Sequence, residues 1–76
     1  MNLAQIKNGE EAVVIQVNAE ENIRARLRML NVCPGAKVKV VKRSLLSSSL
    51  LLEADGVRLG LRRELAENIR VLHRGL

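Results

Sequence analysis

Along most of the chain, apolar and polar residues alternate in short runs, and a helical spacing replaces the alternation in one stretch. Ala12 to Val17, Ala-Val-Val-Ile-Gln-Val, is rich in β-branched residues and too short for a helix, which predicts a strand presenting Val13, Ile15 and Val17 to one side. Ala36 to Arg43 sets Ala36, Val38 and Val40 against Lys37, Lys39 and Val41, the pattern of a half-buried strand with a lysine-rich wet side. Leu50 to Ala54 and Val57 to Arg62 flank Asp55-Gly56, a two-residue turn whose twist suits antiparallel strands. That turn sets the register: Ala54 faces Val57, Leu52 faces Leu59 and Leu50 faces Leu61 on an apolar side, while Glu53 meets Arg58 and Leu51 meets Gly60 on the other. Arg63 to Asn68 reads as one helical turn, Ile69 to Leu72 as a closing strand, and His73 to Leu76 as a frayed tail. In the lead-in, Leu3 and Ile6 share a helical spacing, so a turn of helix ending at Gly9 is expected.

The exception runs from Asn18 to Gly35. Ile23, Ala25, Leu27 and Met29 alternate with Arg24, Arg26 and Arg28 as a strand would, but Ile23, Leu27 and Leu30 also fit a helix. End signals decide for the helix. Asn18 with Glu21 forms a capping-box pattern, Glu20 and Arg24 stand four apart, Asn31 tolerates the left-handed conformation, and Pro34 forbids resumption. Ile23, Leu27 and Leu30 then plug one end of the fold, the arginines face outward, and Cys33-Pro34-Gly35-Ala36 makes a type II turn. The result is a mainly β chain of about five strands, with one capped helix and a short helical turn before the last strand. Strands that are each apolar on one face close into a small barrel rather than leave edges open.

Composition narrows the chemistry. The 76 residues are predicted as one domain, 1–76, burying about 60% of its unfolded surface, too little for a large enclosed active site. With no Phe, Tyr or Trp, the core must be aliphatic. The net charge is +5, and between Arg24 and Arg43 there are seven basic residues and no acidic one. Such a flank suits a phosphate backbone, an anionic membrane or an acidic partner, and charge alone does not choose. A lone Cys33 makes no internal disulfide, no signal peptide is visible, and no apolar run approaches the roughly 20 residues that span a bilayer, so a cytoplasmic protein without membrane insertion is expected. Neither paired acids beside a nucleophile nor a phosphate-cradling glycine loop is present, and no enzyme, cofactor or metal site is predicted. Cys33 and His73 lack the spacing of a metal motif, and of the acids Glu10, Glu11, Glu20 and Glu21 one pair suits a turn and the other a helix start.

Leu30-Asn31-Val32-Cys33-Pro34-Gly35 and Leu61 to Val71, taken with Leu3, Gly9, the strand at Ala12 to Val17 and the basic helix, together form a recognisable series. The chain resembles the FeoA family, ferrous iron transport protein A, over nearly its whole length. It departs from that pattern in carrying Asn31 where the family commonly has Gly, and Ser44 to Ser49 in place of a Pro-x-Gly-x-Pro-like central loop. The resemblance implies an SH3-like barrel and a non-enzymatic accessory role on the cytoplasmic part of FeoB, a ferrous iron permease with a GTP-binding domain. The surface expected to make that contact combines Arg24, Arg26, Arg28, Lys37 and Lys39 with Leu45, Leu46 and Leu51 as apolar anchors, the two loop leucines being either exposed or folded beneath the barrel mouth. Two other readings are a basic barrel that binds nucleic acid, disfavoured without aromatic stacking, and a regulatory barrel like the C-terminal domain of metal-dependent repressors.

Overall fold

The computed structural model describes residues 1–44, 46 and 48–74. A 3-10 turn at Leu3–Gln5 leads into β1 (Glu11–Val17), α1 (Glu21–Met29), β2 (Lys37–Ser44), β3 (Ser49–Ala54), β4 (Val57–Arg62), α2 (Arg63–Glu67) and β5 (Ile69–His73). The strands form one antiparallel sheet in the order β4-β3-β2-β1-β5. No pairing joins β4 to β5 among the described residues. Instead α2 packs against β3, β4, β5 and the 3-10 turn, covering the gap between the sheet's two edges. The chain start continues the cover, since the Val71 N–H donates to the Met1 carbonyl at 3.0 Å and Asn2 bridges Arg70.

The sheet curls around an aliphatic core. Leu3, Ile6, Val14, Val32, Val38, Val40, Leu52 and Ile69 are all fully buried, and no buried residue is polar or charged among those described. The β3–β4 hairpin has the expected register at all five pairs, and its turn sits at positive φ in both residues, Asp55 at 51° and Gly56 at 79°. Its apolar face is buried at Leu50, Leu52, Ala54 and Leu61, whereas Val57, at the start of the edge strand, is exposed. Glu53 and Arg58 pair on the outer face at 3.4 Å.

The expectation for β1 needs correction. Ala12 and Val14 point inward, Val13 is half-buried and Ile15 is 49% exposed. The ladder to β5 shifts between Val14 and Gln16, so Ile15 is an extra residue that inverts the alternation and turns Val17 back into the core. A second shift, between Val40 and Lys42, bends β2. The serine-rich segment is also less of a loop than expected, because Ser44 and Ser49 pair across the β2–β3 ladder. Of the predicted tail, His73 and Arg74 are tied to the sheet, and Gly75 and Leu76 lie outside the described residues. His73 belongs to β5 with Nε2 at 3.3 Å from Glu10, and the Arg74 N–H donates to the Glu11 carbonyl.

The helix starts later than expected and ends as expected. Its N-cap is Glu20, without a side-chain cap, and Asn18, just past the end of β1, donates its N–H to the Asn68 carbonyl at 2.9 Å. Arg24 pairs with Glu21 rather than Glu20. At the far end Asn31 takes φ 63°, the Val32 N–H reaches the Leu27 carbonyl at 2.7 Å and the Asn31 N–H reaches Arg28 at 3.0 Å, a Schellman closure. Leu27 and Val32 both lie in the core, so the closure is anchored from inside. Leu30, expected there too, is 39% exposed at the C-cap. Gly35 at φ 93° and the Ala36 N–H to the Cys33 carbonyl, 2.9 Å, complete the turn into β2.

Candidate functional site

Helix α1 carries Arg24, Arg26 and Arg28, all exposed. Arg24 has a carboxylate partner in Glu21, while Arg26 and Arg28 have none among the described residues. The arginines adjoin apolar surface that sequence reading left out of the site. Met29 is 87% exposed, and Leu30 follows it. Only the helix end makes this visible, since with the chain turning at Asn31 the last helical residue has nothing left to pack against.

Beside the helix lies a cleft of about 190 Å³, with Arg24 and Arg28 on one wall and Val17, Val32, Cys33 and Pro34 contributing its apolar lining. Asn18 and Gln16 supply amides at its margin. Cys33 is half-buried there, while His73 lies at the end of β5 with its Nε2 3.3 Å from Glu10. Among the described residues no three potential metal ligands gather in one place.

The lysines expected beside these arginines belong to a different surface. On the outer face of the sheet, Lys39 stands in register between Glu11 of β1 and Glu53 of β3, and Glu53 stands opposite Arg58 of β4. Four strands thus carry a row of alternating charge. Lys37 joins Lys39 in a shallow depression with Glu11, Glu53 and Asp55, where the acids offset it. Leu51 lies half-buried on this face, opposite Gly60 and beside Lys42. Leu46 is fully exposed in the β2–β3 connection, and Leu45 lies outside the described residues. The structure therefore brings Arg24 and Arg28 together on the cleft wall, leaves Arg26 exposed on another side of α1, and places the two lysines on the sheet face that carries Leu51.

The order of elements, the left-handed turn at Asn31 and the short helix before β5 can be compared with known proteins. The family model for the FeoA domain matches residues 1–73. The chain belongs to the FeoA domain family. Among curated proteins, the Campylobacter jejuni protein described as "Putative Fe(2+) transport protein A" is 27% identical over 93% of this chain and 96% of its own length. Among solved structures, the FeoA protein of Chlorobium tepidum superposes with a TM-score of 0.92 at 36% identity, over 99% of this chain and 71% of that one. FeoA of Stenotrophomonas maltophilia, described as a prokaryotic SH3 domain protein and solved with zinc, gives 0.77 at 29% identity over 93% and 88%. The fold is accordingly SH3-like. A manganese-dependent transcriptional repressor shares that fold at a TM-score of 0.86, with 15% identity, over 96% of this chain and 40% of the repressor. No helix among the described residues is long and apolar enough to cross a membrane.

Proposed function

We propose that this FeoA-family chain is a non-enzymatic accessory protein of ferrous iron uptake that docks on the cytoplasmic part of a FeoB-type permease. Membership of the family and the names of its relatives support the role in iron transport. The observation that carries the docking surface is the exposed side of α1, where a Met29 side chain that is 87% exposed lies between Arg26 and Arg28, neither of which has a carboxylate partner among the described residues. Such a patch combines long-range steering by charge with an apolar anchor that gains when water is removed. A nucleic-acid role would have to do without base stacking, since the chain has no aromatic residue.

Co-purification of the full chain with the permease of the same organism tests the surface. An Arg26→Glu, Met29→Asp double variant is expected to lose the permease while remaining folded by circular dichroism. Leu46→Asp reports whether the β2–β3 connection takes part. Full retention of the permease by the α1 double variant would remove the helix from the interface.

A further inference from the structure

Strand β4 carries an open edge that the docking reading does not use. A two-residue turn makes Ala54 and Val57 a hydrogen-bonded pair, so Val57, Leu59 and Leu61 bond β3 while the N–H and C=O groups of Arg58 and Gly60 point away from it. Among the described residues those outward groups have no partner. Helix α2 follows Arg62 directly and covers the gap toward β5, but Val57, Arg58 and Gly60 stay exposed. Gly60 lies outside the left-handed region, and a Cβ there would meet only the Leu50 carbonyl oxygen within 4 Å, at 3.9 Å. The fold itself therefore does not require glycine at a position where glycine weakens a strand.

We infer that this edge pairs with a second copy of the chain, antiparallel about a two-fold axis at Leu59, with Arg58 of each copy opposite Gly60 of the other. The outward groups of Arg58 and Gly60 then exchange main-chain hydrogen bonds across the axis, Leu59 meets Leu59, and the exposed Val57 meets Leu61 of the second copy. Gly60 leaves room for the Arg58 stem to lie across it toward Leu51, its half-buried neighbour on β3. Sliding by two residues either way would set Arg58 opposite itself or opposite Arg62, where like charges repel. The chosen register instead sets Arg62 opposite Gly56 of the second copy, next to its Asp55. Neither Arg62 nor Asp55 has an ion-pair partner among the described residues, so each supplies the charge that the other lacks. A six-residue edge falls short of the roughly 1,200 Å² that stable interfaces bury, so the dimer is weak and forms at high protein concentration. None of these residues lies on α1, which leaves the permease surface free.

A dilution series of the isotopically labelled full chain, followed by amide shifts and rotational correlation time, tests the pairing. Concentration-dependent shifts centred on Arg58, Leu59 and Gly60 are expected, with the correlation time rising toward that of a dimer. Gly60→Lys, which has space in the monomer, should abolish both by setting a like charge opposite Arg58. Asp55→Asn, which keeps a residue suited to positive φ, should weaken association several-fold, and Arg26→Gln on α1 should leave it unchanged. A correlation time independent of concentration would overturn the pairing. So would association that survives Gly60→Lys, or shifts centred on Met29 in place of Gly60.

Discussion

Asn31 shows what one residue decides. At φ 63° it occupies a conformation that costs most L-residues roughly 1–2 kcal/mol, and Asn reduces that cost through its short polar side chain. In return, its N–H and that of Val32 close the helix on the carbonyls of Arg28 and Leu27. The same turn strands Met29 on the surface, so an architectural requirement and the candidate anchor share one origin. Asn31→Ala should therefore lower stability by about 1 kcal/mol, whereas Asn31→Gly should be neutral or slightly stabilising, its freedom at positive φ offset by a more flexible unfolded chain. Urea midpoints with unchanged slopes would check both; equal losses for Ala and Gly would mean that the Asn side chain, not the backbone angle, matters. Residue types announced this position, as they did Asp55 and Gly56, because each is suited to the backbone it must adopt.

Between elements, Arg43 is the joint that ties the chain start to β2. Leu3 and Ile6 are core residues on a segment with only a three-residue 3-10 turn of its own, so its placement depends on what holds its carbonyls. Arg43→Met keeps the aliphatic stem and removes the donors; the cost should be about 2 kcal/mol for the two unpaired carbonyls, less where water reaches them. Hydrogen exchange should accelerate first at the Gln5 and Ile6 amides, which bond Asn2 and Leu3 within the segment. Unchanged protection there would show that burial of Leu3 and Ile6 suffices. This joint was illegible in the sequence because its partners are 39 and 37 positions away. The hairpin was legible down to its register because a two-residue turn leaves no freedom. The buried face of β1 was misread because the extra residue, Ile15, is β-branched like its neighbours and nothing marks it as a bulge. Likewise Asn18 has the chemistry of a cap, but the Asn68 carbonyl, fixed by tertiary structure, takes its N–H and holds it beside the end of β1.

For the whole molecule, the net charge of +5 is less informative than its division between two surfaces. On the sheet, Arg58, Glu53, Lys39 and Glu11 alternate across four strands, so the field of each charge is cut by its neighbours before it reaches far into solvent. On α1, Arg26 and Arg28 have no such neighbours among the described residues, and their potential extends over about a Debye length, roughly 8 Å at physiological salt. Sequence reading placed Lys37 and Lys39 with the helix arginines because proximity along the chain was all it had, and it could not see which acids the sheet would set beside them. Equal changes of charge at the two surfaces should therefore have unequal effects. If the chain docks on a FeoB-type permease as proposed, Arg26→Gln with Arg28→Gln should slow that association several-fold at low salt and flatten the dependence of its rate on ionic strength, whereas Lys37→Gln with Lys39→Gln should change it by less than about twofold. Stopped-flow association rates over a range of ionic strength measure both. Equal slowing by the two pairs would mean that the partner reads the total charge, and the alternating row on the sheet would then provide none of the screening argued for it.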